Sequence, residues 1–356
     1  MQDRPHSLHQ GRWADGAGER LATEGIMMPP RKHAVELALD FFSRGVLVVH
    51  PKDLSGLSEM DGAIAELARA CHIYLIVTRP RLRFAPGSVV VGPDHTTVNF
   101  RFTRDGAERE ATLTLVGSPN ADSVEVSSYP HTNLLLLKDG VPVHVLPAHM
   151  LSFVGDGLTD RSIRDLEVVY VGMAYGEGDR SATDRLLSHS TLQQVLADLN
   201  GESPDTEALV VMAEYEPPLF VMSIDGRSKT SPENADRNVG AAFSQAEEIS
   251  EELRIALIEA GLIRHFQPGY NEKYKFRYPH PSHKILEEIY SIDFGALTVE
   301  IDTEVINARL FSKVQPPGFH HAASVDLHDP QTRQSFFNIM NVPDGPTAAD
   351  HSGPVF

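Results

Sequence analysis

The chain has 356 residues, 41% of them hydrophobic, with 49 acidic against 31 basic side chains and a formal net charge of −18. That length allows two domains or one elaborated one, and the apolar content suffices for a sizeable core. A single cysteine, Cys71, excludes an internal disulfide and a cysteine-rich zinc site, and the longest apolar runs, such as Gly45–Val49 and Leu134–Leu137, are strand-sized rather than membrane-spanning.

The anionic total argues against a phosphate backbone as partner unless cations are gathered locally. The polar stretch Met1–Glu24 has no apolar signal core, and with one cysteine the expected location is a reducing cytoplasm, away from membranes. Residues 1–31, rich in Gly, Arg, His and Asp without periodicity, read as a flexible tail that carries His6, His9 and Trp13.

Residues 32–155 read as a β-rich domain whose purpose the sequence does not give. His33–Ser43 and Glu59–Ala70 fit amphipathic helices. Strand patterns follow at Ile73–Thr78, Ser88–Val91, Thr97–Phe102, Ala111–Val116, Asn133–Leu137 and Val141–Leu146, and Asp139-Gly140 is a two-residue hairpin signal. There is no phosphate loop, nucleophile elbow or metal-ligand spacing; Asp94, His95 and His131 read as surface-loop residues.

The pattern shifts near residue 156. Leu166–Gly172 is a compact strand, followed by the polar loop Gly176–Arg180 and a helix, capped by Ser181 or Thr183, that carries Arg185 and His189 one turn apart. Ser190 with Gln193 caps a further helix to Leu199, then strands are expected at Leu209–Tyr215 and Leu219–Ile224. On the next helix Ile249, Leu253, Ala256, Ala260 and Ile263 form one apolar arc, and Glu259 falls inside it. A carboxylate there needs a cation, a metal or several donors; an arginine partner, or a tip left in water, is the ordinary alternative. The helix should stop at a Pro268-Gly269 turn and deliver Tyr270 and Asn271 just beyond it.

Past Asn271, Lys273, Lys275, Arg277 and Lys284 alternate with Tyr274, Phe276, Tyr278, His280 and His283. This suits either a phosphate-tracking groove with stacking platforms or a solvated loop whose aromatics tuck into the core. His280 and His283 are a candidate transition-metal pair without an acidic or cysteine partner. Ser291–Val305 contains a strand whose Glu300, Asp302 and Glu304 share one face, a carboxylate cluster or the wet side of an edge. Ile306–Val314 is a further strand; His320-His321 reads as loop, and residues 326–356 as a flexible tail.

Taken in order, Tyr170-Val171-Gly172, an arginine-bearing helix, another strand, then Glu259 with Leu262-Ile263 and Pro268-Gly269-Tyr270-Asn271 resemble the core of the GIY-YIG nucleases, over Leu166–Asn271. The resemblance implies an α/β (α+β) fold over residues 156–325, with a small mixed sheet flanked by helices and a short β extension after it. It implies a metal-dependent endonuclease acting on nucleic acid, DNA before RNA. Phosphodiester hydrolysis needs a deprotonated water, a cation on the non-bridging oxygens and relief of charge on the leaving oxygen. By resemblance Glu259 would hold a single Mg²⁺ or Mn²⁺, Arg185 grip the phosphate, Tyr170 stand beside the attacking water and Asn271 brace the site. His189 would orient the phosphate or act as base, with Arg180, Lys273, Lys275, Arg277 and Lys284 on the nucleic acid. The chain departs from the family pattern in lacking a Gly-Ile-Tyr-like strand shortly before Tyr170. The nearby strand candidate, Met150–Val154, has no tyrosine, and Met173-Ala174-Tyr175 stands where a cation is usual, leaving Tyr175 or Arg180 to substitute. The alternative is a binding or assembly module that keeps the fold without the hydrolysis.

Overall fold

The computed structural model describes residues 36–57, 59–117, 119–155, 157–174, 190–223, 244, 249–274 and 294–327. The chain starts with a long strand, β1 (Glu36–Val49), two helices, α1 (Leu54–Leu57) and α2 (Ala63–Ala70), and β2 (Ile73–Pro80). Seven strands follow: β3 (Arg83–Phe84), β4 (Val90–Val91), β5 (His95–Arg104), β6 (Ala107–Val116), β7 (Ser123–Val126), β8 (Asn133–Lys138) and β9 (Val141–Pro147). After α3 (Ala148–Leu151) and β10 (Gly157–Leu158) come β11 (Asp165–Met173), α4 (Ser190–Glu202), β12 (Thr206–Tyr215) and β13 (Leu219–Ser223). The last described elements are α5 (Glu251–Phe266), α6 (Gly269–Tyr274), β14 (Ala296–Asp302), β15 (Arg309–Phe311) and β16 (His320–Asp326).

The protein is mixed α/β and rich in strands. Its main sheet runs β15-β11-β2-β12-β1-β14-β16, with β13 also paired to β1. Both faces are covered, which is why β2 and β12 read as unbroken apolar runs. On one face Leu39, Leu75, Val171, Leu209 and Val299 pack with Leu253, Leu257 and Phe266 of α5. On the other, Tyr74, Ile76, Tyr170 and Met212 meet Leu54 of α1, Ala68 of α2 and Leu192 and Val195 of α4. Each such side chain contributes about 1.5–3 kcal/mol on full burial, so the two layers carry most of the stabilisation.

Three sequence readings are corrected here. His33–Ser43, expected as a helix, is strand from Glu36 onward: Leu37, Leu39 and Phe41 are buried with half-buried Ala38 and Asp40 between them, a period of two that pairing with β13 and β14 selects. His320-His321, expected as loop, opens β16, where His321, Ala323 and Val325 alternate inward along an antiparallel ladder with β14. Met150–Val154 is the end of α3 and the turn after it, not a strand. The Asp139-Gly140 hairpin forms with φ of 51° and 74°, the left-handed pair that a two-residue turn of this hand requires.

The expected division at residues 155 and 156 does not follow the sheet, which takes β1 and β2 from before it and β11 to β16 from after it. The part with its own core is narrower. Leu82, Phe84, Val98, Phe100, Leu113, Leu134 and Ile163 form a separate cluster under a five-stranded sheet and the three-stranded β7-β8-β9. This β module is inserted between β2 and β11, which are antiparallel neighbours in the main sheet. Arg79, at the end of β2, is buried at the junction. It donates to Glu207 Oε1 at 2.9 Å, Ser152 Oγ at 2.9 Å, Ile163 O at 3.1 Å and His149 O at 2.9 Å, with its guanidinium 4.6 Å from the Phe153 ring centroid.

Candidate functional site

Tyr170, Glu259 and Asn271 fall on described residues; Arg180, Arg185, His189, Lys275, Arg277 and Lys284, with His280 and His283, lie outside them. Lys273 is within α6.

The β2–β11 ladder places Tyr170 opposite Ile76 and Gly172 opposite Tyr74. A register shift between Val168 and Tyr170 turns Val169 and Tyr170 together to the α4 side, while Val168 and Val171 face α5. A Cβ on Gly172 would lie 2.6 Å from the Tyr74 hydroxyl end and 2.7 Å from the Tyr170 ring, so only hydrogen fits between the two tyrosines. Their ring centroids are 6.1 Å apart, and Tyr170 is 4% exposed.

Helix α5 is well delimited. Ser250 Oγ accepts the Leu253 N–H, Glu251 and Glu252 occupy the positive first turn, Arg264 and His265 the last, and Gln267 closes it with φ 47°. Gly261 lets it lie close on the sheet: a Cβ there would be 2.8 Å from Val299 Cγ2 of β14. Glu259, two residues back, is therefore rotated about 160° around the helix, on the side away from β14. It is nonetheless 0% exposed and is engaged by a polar or electrostatic partner. Tyr170 and Glu259 accordingly occupy opposite sides of the sheet, and neither has a solvent face.

Beyond Pro268 the Tyr-Asn pair sits on a second short helix, α6, rather than in an open turn. Asn271 Oδ1 accepts the Val171 N–H and Nδ2 donates to the Val171 carbonyl, both at 2.9 Å. Tyr270 donates from its hydroxyl to Asp198 Oδ2 of α4 at 2.8 Å. The pair is a strap that wraps the edge of β11 and ties the α5 layer to the α4 layer.

Of the expected carboxylate row, only Glu300 and Asp302 lie on β14, and Glu304 opens the short helical turn after it. Glu300 holds His320 Nε2 at 2.6 Å, and Asp302 Oδ1 accepts the Glu304 N–H at 2.8 Å. Burial, with Glu300 nearby, pushes the carboxyl of Asp40 up to about 6. Among the described residues no three His, Cys, Asp or Glu side chains meet as metal ligands. Glu259 itself is 0% exposed, whereas a bound Mg²⁺ ordinarily keeps several waters of its own.

Three polar features have no counterpart in the sequence reading. Arg79 and Glu207 form the enclosed ion pair already described. The His50 and His149 rings lie with centroids 4.6 Å apart and planes tilted by 37°, and burial lowers them to about 4 and about 3. His321 donates from Nε2 to Leu310 O at 2.8 Å, so its Nδ1 accepts from His265 Nε2 at 3.2 Å; burial, then His321, lowers His265 to about 4. Each contact joins residues far apart in the chain, and a solitary histidine or arginine carries no local mark of its partner.

No known protein family matches the chain, and neither a curated protein nor a solved structure matches it.

Proposed function

We propose that this chain is a binding or assembly module in which a GIY-YIG-like set of strands and helices serves as scaffold, without phosphodiester hydrolysis. The observation that carries this reading is the pair Tyr170 and Glu259, buried on opposite sides of the main sheet. Hydrolysis of a polymer needs attacking water, cation and phosphate to meet in a cleft that the polymer can enter. A carboxylate with 0% exposure and a tyrosine packed into the other layer offer no such place. Asn271 is occupied with Val171, and the net charge of −18 disfavours a nucleic-acid backbone. The row Val141, Val143 and Val145 on the edge strand β9, 62%, 44% and 54% exposed, supports the binding side of the reading.

The second reading, a metal-dependent endonuclease with Glu259 as Mg²⁺ ligand and Arg185 on the phosphate, draws support from one feature. Antiparallel β2 and β11 bring Tyr74 beside Gly172 and Tyr170, which sets a second tyrosine next to the Tyr170 strand. The deciding experiment incubates the full chain with duplex, single-stranded and branched DNA and with RNA, in Mg²⁺ and in Mn²⁺, beside Glu259→Gln and Arg185→Ala. The scaffold reading expects equal, background cleavage from all three and no Mg²⁺ binding heat. Cleavage by the wild type that both substitutions abolish, with their folds intact, overturns it.

A further inference from the structure

We infer that the free edge of β9 takes up a basic, extended peptide segment as an added strand, whose apolar side chains continue the outer face of the β7-β8-β9 sheet. This names a partner for the binding reading above and rests on it.

Among the described residues β9 pairs with β8 alone, and Val141 to Val145 are exposed one after another. Leu134 and Leu146 face the core of the β module, so the ladder partners Leu135 and Val145 face out, with Val143 two residues along. Leu135 is half-buried, and Val143 and Val145 are 44% and 54% exposed, an apolar strip open to solvent. Ala148 donates its N–H to Thr132 O across the same ladder. Alternation then turns the backbone of Leu146 and His144 towards β8, leaving the N–H and carbonyl of Val145 and the carbonyl of Val143 on the free side. Exposed edges are ordinarily guarded by lysine, other charges or proline. Residues 141–147 carry no charged side chain, and Pro142 and Pro147 lie outside the Val143–Val145 stretch. Such an edge is a template for strand addition, where backbone bonds supply affinity and alternate side chains the specificity.

Charge selects the partner. The small sheet and its turns, residues 122–147, hold three carboxylates and one lysine. Asp122 accepts the Asp139 N–H at 2.8 Å, which gathers two acids at the hairpin tip where β9 begins. Glu125 stands opposite Leu135 on the outer face, and all three acids are exposed. With a net charge of −18 the chain repels a second copy of itself and draws in a cation-bearing segment. β-branched residues suit the pleated apolar strip, so the fitting segment has about 5–6 alternating β-branched and polar residues with lysine or arginine beside them.

The test is fluorescence anisotropy of the full chain with a labelled peptide in which alternating valine and threonine are flanked by pairs of lysines. Saturable binding that weakens with added salt is expected. The same peptide with glutamate for lysine, and one N-methylated along its bonding edge, should each bind at least about tenfold more weakly. Val143→Lys with Val145→Lys should cost a similar factor at unchanged Tm, because both positions are open to solvent. Asp122→Asn with Asp139→Asn should weaken the lysine peptide by about threefold while leaving β9 intact. No saturation, equal affinity for the glutamate or N-methylated peptide, or unchanged affinity in either folded variant would each overturn the inference. A dimer in sedimentation equilibrium that the valine variant dissolves would overturn it too, in favour of a second copy. Nucleic-acid cleavage in the assay above would overturn the scaffold reading and leave the peptide outcomes readable by themselves, because β9 belongs to the module with its own core.

Discussion

Asn271 holds both backbone groups of Val171, accepting its N–H and donating to its carbonyl, each at 2.9 Å. The partner strand β15 pairs only with Asp165–Glu167, so a side-chain amide continues the ladder where the strand has ended. Removing it leaves two buried backbone groups unsatisfied, at about 1–3 kcal/mol each. Asn271→Ala should therefore lower unfolding free energy by about 2–4 kcal/mol in urea at unchanged slope, and Asn271→Asp by more, since it replaces the donor with a buried charge. A loss below about 0.5 kcal/mol would make the clamp incidental.

The close seating of α5 on β14 gives a second prediction. Gly261→Ala improves helix propensity by about 1 kcal/mol but drives a methyl to 2.8 Å from Val299 Cγ2, and a β-branched side chain cannot easily turn away. The expected result is net destabilisation that Val299→Ala relieves in the double variant, giving a strongly non-additive cycle. Additive losses would refute a steric origin.

Arg79 and Glu207 give a third. Breaking an enclosed pair from one side costs about 3–5 kcal/mol, because a charge is left in the core. Arg79→Met should be the most damaging single change, since it also abandons Ser152 Oγ and the carbonyls of His149 and Ile163. Glu207→Gln should cost less, and Arg79→Met with Glu207→Met should recover part but not all of the loss; chemical denaturation of the three variants measures the order.

Acid sensitivity follows from the buried histidines. His265 and His50 lie at about 4 and His149 at about 3, each lowered from 6.5 mainly by burial. Between pH 6.5 and 4 the unfolded chain binds more protons at these groups than the folded one, so their contribution is complete above 6.5 and declines as pH falls. Asp40, raised from 3.8 to about 6, acts with the opposite sign: its burial penalty is absent below 3.8 and complete above about 6. Urea midpoints from pH 7.5 to 4.5 should fall on acidification, less steeply in His265→Gln, and Asp40→Asn should stabilise only towards neutral pH. A flat profile would show that the histidine rings are hydrated in the folded state.

The periodic elements were legible in the sequence because burial writes itself into spacing. β2, β5, β6, β8, β11, β12 and α5 stand close to where alternation or helical recurrence places them. β1 was misread because Leu37, Leu39 and Phe41 fit both a short helix and a strand, and only β13 and β14, brought from far downstream, decide between them. The burial of Glu259 could be read from the helical wheel; the side of the sheet on which it lies could not. Nor could the layer that Tyr170 joins be read, because the register shift that sends its ring to the α4 side has no local pattern to encode it. Gly172 shows the same ambiguity, since a glycine ending a signature and a glycine separating two tyrosine rings are the same letter.

The chain leaves the main sheet at Pro80 and re-enters it at Asp165 on the adjoining strand, with Thr78 facing Glu167. The whole β module is thus an appendage hung from one hairpin, and a tight turn joining β2 to β11 would preserve the strand order of the body that carries it. Arg79 is the latch of that arrangement. Of the four groups it grips, Ser152, His149 and Ile163 would go with the appendage and only Glu207 would stay, so a trimmed protein should hold together best when both members of that pair are exchanged for apolar residues in the same step.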